Sequence, residues 1–288
     1  MLKNIGSNMK VLRAIAPTVS YRNMGLPHLK KVEEVTDKPL LANRTAFVTN
    51  CHSGNHDLAS NIALAYAAYG ANVLVHGENE SHLANLISNF PSCHVEQRHG
   101  LIADNIENVS AELVSQFTDK LDILVHNTDV EVPKAHDAAS CEVDDFDDVV
   151  RQSLTTPFAV VQRLLPLVKN GDNPSIIFCS STPEIEEGED ENDEVPYYVS
   201  KFGHSSSRML TKMLSNALMK KNIRVNTVDP GNYVSHQHKE VSSLGNQTEL
   251  AKTSAFVWLG RHDTEMTGAQ LDAMDWVRRD PAMFKSFY

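Results

Sequence analysis

Hydrophobic and polar positions follow two alternating patterns from Arg44 onward. Short runs rich in β-branched residues are followed by longer segments whose apolar residues recur with helical spacing, which is typical of βαβ units around a parallel sheet. This pattern predicts seven strands, at residues 45–49, 72–76, 95–98, 123–126, 175–179, 224–228 and 270–273. Six helices are predicted, at residues 57–69, 81–89, 108–117, 146–168, 195–220 and 249–259. The predicted fold class is α/β, with one doubly wound parallel sheet in a single domain.

The first 32 residues carry basic side chains and no acidic one, since the first carboxylate is Glu33. This bias is typical of a mitochondrial targeting segment, and residues 9–15 have the spacing of amphipathic helical turns. We therefore expect residues 1–40 to be such a segment and residues 41–288 to be the folded domain. The alternatives are a disordered N-terminal arm and, if the segment is retained, an arm that docks on another surface. The expected location is mitochondrial, or cytoplasmic if the segment is no targeting signal. The basic residues are Lys3, Lys10, Arg13, Arg22, Lys30 and Lys31.

The amino-acid composition argues against several classes of function. The 288 residues are 41% hydrophobic, which favours one large domain. A net charge of −11 repels nucleic acid and anionic membranes, so neither is an expected partner. The four cysteines form no CxxC pair, and the histidine pairs at 52/56 and 236/238 have no further ligand at motif spacing, so no metal site is expected. No apolar run approaches the roughly 18 residues of a membrane span.

Tyr197 and Lys201 are four residues apart near the start of a predicted helix. This spacing places two side chains on the same helix face. An ammonium beside a phenol favours the phenolate and lowers the pKa of the phenol, which permits proton transfer near neutral pH. A hydroxyl at the end of the preceding strand, Ser180 or Ser181, is placed to hold a carbonyl or alcohol oxygen beside that phenol.

The segments SIIFCSS, YYVSK and NIRVNTVDPG occur in this order, and together they resemble the short-chain dehydrogenase/reductase family over roughly residues 44–273. The resemblance implies a Rossmann fold and an NAD(P)-dependent oxidoreductase that acts on a secondary alcohol or ketone. It implies that Tyr197 is the general acid/base, that Lys201 lowers its pKa and holds the nicotinamide ribose, and that Ser181, rather than Ser180, orients the substrate. Tyr197 and Lys201 are thereby also cofactor contacts. Further contacts are implied at the PG turn and at a hydroxyl residue beyond it, namely Pro230, Gly231 and Ser235.

The loop after the first strand departs from the glycine-rich pattern of that family. TNCHSGNHD keeps Gly54, whereas Asn50 and His56 replace the other two glycines. Asparagine visits left-handed backbone conformations more readily than most residues, so Asn50 is a mild change. An imidazole at His56 would project into the space of the ribose and diphosphate, so impaired cofactor binding is expected. Asn50 and Gly54 are the expected cofactor contacts in this loop.

In the family that this chain resembles, the residue at the end of the second strand recognises the adenosine ribose of the cofactor, and Gly77 and Glu78 stand there in this chain. A carboxylate accepts hydrogen bonds from ribose hydroxyls and repels a 2′-phosphate, so NAD is expected rather than NADP, with no cofactor at all as the alternative. The adenine-binding aspartate of the family aligns with Gly100, and Asp104 lies close by.

Two further motifs are altered. In HNTD, at residues 126–129, Asn127 is retained as an expected cofactor contact, whereas Asp129 replaces a glycine. In QSLTTPF, Ser153 replaces the catalytic asparagine of the family, which weakens the expected proton relay.

Two functions follow from these features. The first is an oxidoreductase with impaired cofactor binding, and the second is a catalytically inactive subunit with a structural or binding role in a mitochondrial assembly. A homo-oligomer or a protein partner is expected, since relatives pair through the long helix and the YxxxK helix, and the apolar residues 276–288 indicate docking.

An acidic run at residues 184–194 is expected to be a solvated loop at the pocket mouth that disfavours anionic small-molecule substrates.

Overall fold

The computed structural model describes residues 13–14, 39–52, 58–90, 97–128, 142–180, 197–230 and 245–273. At residues 13–14, 180, 197–204 and 245–252 only the backbone is described. The predictions for the acidic run at residues 184–194 and for the C-terminal residues 276–288 lie outside these ranges.

The described residues form one eight-stranded sheet in the order β1-β4-β3-β2-β5-β6-β7-β8. Neighbouring strands are parallel except β1, which pairs with β4 in the antiparallel direction. The strands are β1 (Arg13–Ala14), β2 (Thr45–Thr49), β3 (Asn72–Gly77), β4 (His99–Ala103), β5 (Ile123–Thr128), β6 (Ser175–Ser180), β7 (Arg224–Asp229) and β8 (Gln270–Asp272).

Helices cover both faces of the sheet. The α-helices in the described ranges are α1 (Leu58–Ala68), α2 (Glu80–Ser88), α3 (Ala111–Val114), α4 (Val143–Val150), α5 (Thr156–Val168), α6 (Tyr197–Leu218) and α7 (Gly245–Gly260). A π-helical turn at Arg151–Thr155 joins α4 to α5, and short 3₁₀ turns occur at Ile106–Asn108 and Met219–Lys221. None of these helices is both long enough and apolar enough to cross a membrane.

Two apolar cores result, one on each face of the sheet. One packs α1, α2 and α7 against alternate strand residues such as Val48 and Val125. The other packs α3, α5 and α6 against the residues between them, such as Phe47 and Leu124. Because both faces are covered, the central strands are buried at nearly every position, which explains why their sequences are continuous apolar runs.

Two buried arginines fasten the amino ends of the strands. Arg44 donates to the carbonyls of Asp122, Asp172 and Asn173, and Arg224 donates to those of Asn173, Leu259 and Arg261. The fully buried carboxylate of Asp122 accepts from the backbone N–H of Thr45 and of Asp172, both at 2.7 Å, and from Lys120 at 3.1 Å. This edge, opposite the expected site, is therefore held by a network of buried hydrogen bonds.

The predicted α/β fold is confirmed, and six of the seven predicted strands agree with β2, β3 and β5–β8 within two residues. The strand predicted at 95–98 is wrong, since β4 is His99–Ala103. The prediction missed this strand because Gly100 interrupts the run of apolar residues from which a strand is predicted. Here the missing side chain makes room for Phe117 and Leu74, which lie 2.6 Å and 2.8 Å from where a Cβ would stand.

Two helix predictions are corrected by the structure, and the described part of the predicted N-terminal turns is a strand. The helix predicted at 146–168 is interrupted by the π-helical turn, since Pro157 has no N–H to donate to the carbonyl of Ser153. The helix predicted at 108–117 is reduced to a 3₁₀ turn and the four residues of α3. Within the predicted amphipathic turns at 9–15, Arg13 and Ala14 form strand β1.

Candidate functional site

The order of the strands changes direction at β2, which pairs with β3 on one side and with β5 on the other. Helix α1, which follows β2, packs on one face of the sheet. Helix α5, in the connection that follows β5, packs on the opposite face. The segments that follow β2 and β5 therefore lead to opposite faces of the sheet and leave a crevice at the carboxyl ends of these two strands, and open α/β sheets bind ligands at such a switch point.

Asn50 occupies the first position of this crevice in a left-handed conformation, with φ +56°. Its side-chain amide donates to the carbonyl of Asn127 at 2.7 Å, and the Asn127 amide donates back to the carbonyl of Asn50 at 3.4 Å. The backbone N–H of Asn50 donates to Nδ1 of His76 at 3.3 Å. The expectation that asparagine tolerates this glycine position is confirmed, and side-chain hydrogen bonds fix the turn.

The chain then crosses closely over the end of β3. Cys51 is buried, and its N–H donates to the carbonyl of His76 at 2.8 Å. A Cβ on Gly77 would lie 2.3 Å from the carbonyl oxygen of Cys51, so only glycine fits at that crossing. Glu78 follows immediately and is exposed at the rim of the crevice.

The loop after β4 supplies the neighbouring wall. Asp104 is the first residue after β4, and its N–H donates to the carbonyl of Gly77 at 3.2 Å. Its carboxylate accepts from the N–H of Asn105 and from the side chain of Asn108. Asn105 in turn lies 3.5 Å from the carboxylate of Glu78. The alignment with Gly100 is wrong in the structure, because Gly100 lies inside β4 and Asp104 stands where the strand ends.

A cavity of about 230 Å³ opens beside Asn50 on the face that α5 covers. Of its lining residues only Asn50 was predicted from the sequence, and the lining is mostly amide, carboxylate, guanidinium and imidazole groups. Arg151 in this lining is paired with Glu107 and Asp148. The π-helical turn contributes Arg151 and Gln152 and so shapes one wall, as such turns often do at functional sites. The cavity is lined by Asn50, Asn105, Ile106, Glu107, His126, Arg151, Gln152 and Thr156.

Two buried histidines flank the end of β2. Nδ1 of His126 lies 2.9 Å from the hydroxyl of Thr49, and His76 accepts from the backbone of Asn50 as described. Burial, and secondarily the nearby His76, lowers the pKa of His126 to about 3. Burial lowers the pKa of His76 to about 4, although hydrogen bonding and the charge of Asp104 oppose that shift. Both imidazoles are therefore neutral at pH 7 and act as hydrogen-bonding groups of the turn.

Acid should destabilise the fold through these histidines and through His99, whose pKa burial also lowers to about 4. Below the ordinary pKa of about 6.5 these histidines are protonated in the unfolded chain but remain neutral in the folded chain. The free energy of unfolding therefore falls as the pH is lowered from about 6.5 to about 4, and to about 3 for His126. Each histidine contributes a loss of about 2 kcal/mol by pH 5. Urea unfolding at pH 7.5 and pH 5.0 measures this loss. His99→Gln should reduce it by about a third, whereas the same change at the exposed His262 should not; an equal loss in both variants contradicts this assignment.

The structure describes only some of the residues that are expected to be catalytic or to bind the cofactor. Tyr197 begins α6, and Lys201 lies one turn further along it. Ser180 is the last residue of β6, and the buried Pro230 follows β7 directly, so both come from carboxyl ends of strands. The predicted residues Gly54, Ser181, Gly231 and Ser235 lie outside the described ranges, as do His56 and Asp129.

Ser153 stands at the position where the family resemblance implies a catalytic asparagine. It is fully buried in the π-helical turn, and its hydroxyl donates to the carbonyl of Val149 at 2.7 Å. The hydroxyl is thereby committed to its own helix, as serine side chains inside helices often are.

Strand order, crevice and helix layers define a doubly wound α/β protein of Rossmann type. A family model described as enoyl-(acyl carrier protein) reductase matches residues 54–268, and the chain belongs to the short-chain dehydrogenase/reductase family. Members of this family are NAD(P)-dependent oxidoreductases.

Two curated relatives cover most of the chain. YciK of Escherichia coli (strain K12), an uncharacterized oxidoreductase, is 25% identical over 246 residues, which are 81% of this chain and 93% of YciK. A 3-oxoacyl-[acyl-carrier-protein] reductase of rhamnolipid biosynthesis from Pseudomonas aeruginosa is 27% identical over 233 residues, 77% of this chain and 84% of that protein.

Solved structures have the same fold. A short chain dehydrogenase from Pseudomonas syringae is similar with a TM-score of 0.62 and 26% identity, covering 82% of this chain and 96% of the other. One from Shigella flexneri 2a str. 301, complexed with NADP, has a TM-score of 0.62 at 24% identity, covering 82% of this chain and 99% of the other, which is a likeness of fold.

Proposed function

We propose that the protein is an NAD(H)-dependent oxidoreductase of a secondary alcohol or ketone, with a cofactor site weaker than is usual for its family. The observation that carries this proposal is the crevice between β2 and β5, where Asn50 holds the positive φ of a glycine. A left-handed turn at that point lets the backbone approach a ligand closely. Asn50 therefore supplies, without a glycine, the left-handed residue with which a dinucleotide-binding turn begins.

The described rim fits the adenosine half of NAD. The exposed carboxylate of Glu78 can accept hydrogen bonds from ribose hydroxyls, and it repels a 2′-phosphate. Asp104 and Asn105 add polar groups next to it, and the cavity beside Asn50 offers room for a planar ring. We assign cofactor contacts to Asn50, Glu78, Asp104 and Asn105. By the family resemblance we also assign them to Gly54, Asn127, Pro230, Gly231, Ser235, Tyr197 and Lys201.

The same arrangement explains why the site should be weak. The amides of Asn50 and Asn127 each donate to the other's backbone carbonyl, so one donor of each amide is already engaged within the protein before a ligand binds. Each hydrogen bond lost from a site lowers the binding free energy by about 0.5–1.5 kcal/mol. Two or three lost contacts reduce affinity by one to three orders of magnitude.

The bound dinucleotide supplies the hydride acceptor or donor, and the chain supplies the proton chemistry. Tyr197 at the start of α6 transfers a proton to or from the substrate oxygen. Lys201 lowers the pKa of that phenol and holds the nicotinamide ribose, and Ser181 orients the substrate oxygen beside it. The reductase from Pseudomonas aeruginosa is named for a 3-oxoacyl substrate, which supports a ketone as the reacting group.

Replacing Glu78 by Arg should reverse the cofactor preference, because the side chain then attracts the 2′-phosphate that a carboxylate repels. We expect the wild-type chain to bind NADH about tenfold or more tightly than NADPH, and Glu78→Arg to favour NADPH by about tenfold. Fluorescence titration with both nucleotides measures the ratio. The control Glu112→Arg makes the same charge change at an exposed position on α3 and should keep the wild-type ratio. An unchanged ratio in Glu78→Arg contradicts the assignment.

A catalytically inactive subunit is the second candidate. Its specific support is the Ser153 hydroxyl, which is bound inside its own helix where the family has a catalytic asparagine. The proposal that such a subunit belongs to a mitochondrial assembly rests on the basic composition of residues 1–32. Turnover of any ketone or alcohol with NADH or NAD excludes this candidate, and cell fractionation with the full chain tests the location.

We propose that the protein self-associates through α5 and α6. Met209 and Met213 lie one turn apart on α6 and are 73% and 49% exposed, and Phe158 on α5 is 39% exposed. Large exposed apolar side chains, such as the neighbouring methionines on α6, are typical of contact surfaces. Met209→Lys/Met213→Lys should convert an oligomer to a monomer, as measured by light scattering. Met219→Lys, at an exposed methionine after α6, should leave the mass unchanged. A monomeric wild-type chain contradicts the proposal.

A further inference from the structure

Strand β4 would be the edge of the parallel sheet if β1 were absent. β4 pairs with β3 through Leu74↔Gly100 to Gly77↔Ala103, and its other side pairs with β1. The register of this antiparallel pair is Arg13↔Gly100 and Ala14↔His99. The N-terminal segment therefore reaches the sheet from outside the range expected for the folded domain.

The sequence of β4 lacks the usual protection of an edge strand. Natural edges are blunted by lysine, proline, bulges or covering segments, because unpaired N–H and C=O groups are a template for another strand. HGLIA contains neither a charge nor a proline, and His99 to Ile102 are all buried. Both faces of this strand are filled, since Gly100 lies against Phe117 and Leu74 on one side of the sheet and His99 packs on Phe90 on the other. Such a strand needs a covering segment.

The basic N-terminal segment has the charge that suits this position. Residues 1–32 hold six basic side chains and no acidic one, in a chain whose net charge is −11. Long-range attraction between the segment and an acidic domain favours its return to the sheet. Backbone pairing then fixes its place, as in the addition of a strand to an open edge.

We propose that the segment containing Arg13 and Ala14 is a built-in cover of the β4 edge, and that it prevents this edge from pairing with a second copy of the chain. The segment is then a working part of the folded domain. Any processing that removed Arg13 and Ala14 would open an uncharged strand edge and promote edge-to-edge association.

The test is the full-length variant Arg13→Pro/Ala14→Pro, in which two backbone N–H groups are removed and pairing is lost. The matched control is Lys3→Pro/Asn4→Pro, which places two prolines in the same segment outside β1. Amide hydrogen exchange is measured at residues 99–103, with β5 as the internal reference for an intact fold, and the solution mass is measured over a range of protein concentration.

We expect exchange in β4 to rise by about tenfold or more in the strand variant, with β5 unchanged and with larger species appearing as concentration rises. The control should match the wild-type chain in both measurements. Equal exchange in the strand variant and the wild-type chain overturns the pairing. Faster exchange in β4 without any increase in mass overturns the protective role.

Discussion

Tyr197→Phe should lower kcat by about 10²- to 10⁴-fold, while the affinity for NADH changes by less than about threefold. The substitution removes the hydroxyl that we assign to proton transfer and keeps the ring at the start of α6. NADH oxidation with 3-oxoacyl thioesters and simple cyclic ketones measures the rate, and fluorescence titration measures the affinity. A large loss of affinity with an unchanged kcat would give the phenol a binding role instead.

The neighbouring phenol provides the control for this experiment. Tyr198 follows Tyr197 directly on the same helix, and Tyr198→Phe removes a chemically identical hydroxyl. Adjacent residues point to different sides of a helix, so this variant should keep kcat within about threefold of the wild-type value. A reversed pattern, in which Tyr198→Phe is inactive and Tyr197→Phe is not, would contradict the assignment drawn from YYVSK.

Asp122→Asn should lower the free energy of unfolding by about 3 kcal/mol, which corresponds to roughly 6–12 °C in Tm for a domain of this size. Both carboxylate oxygens accept backbone N–H groups at 2.7 Å, from Thr45 and from Asp172. An asparagine keeps one acceptor and turns its NH₂ group toward the other N–H, which leaves buried donors without acceptors. Urea unfolding and thermal melting measure the change.

Asp119→Asn is the matched control for this substitution. Asp119 lies three residues earlier and is exposed, and surface substitutions of this kind change stability by less than about 0.5 kcal/mol. A loss below 1 kcal/mol in Asp122→Asn would show that the amino edge of the sheet is not fastened as described.

Most of the sheet was predictable, because buried parallel strands are continuous apolar runs between turn residues. β2, β5 and β6 have this pattern and were predicted with nearly their observed bounds. The bounds of β4 were not predicted, because His99 and Gly100 interrupt the apolar pattern of that strand. Its glycine is explained by Phe117 and Leu74, whose side chains come close to it only in the folded structure.

The candidate site was predictable where backbone chemistry decided the outcome. The left-handed conformation of Asn50 follows from the known preference of asparagine and is observed. The roles of His76 and His126 were not visible, because a single histidine in an apolar strand gives no sign of its hydrogen-bond partner. Gly100 was preferred to the nearby Asp104 because the strand before them was misplaced. The π-helical turn that lines the cavity follows from the missing N–H of Pro157, and the apolar period of the helix gives no sign of it.

Calorimetric titration of NADH into the full-length protein at pH 7.5 tests the central claim, that the crevice between β2 and β5 binds a dinucleotide. The proposed function predicts one site per chain with a Kd between about 10 µM and 1 mM, and weaker binding of NADPH. No heat of binding at millimolar concentrations of either nucleotide would contradict it and would leave the inactive subunit as the function of this chain.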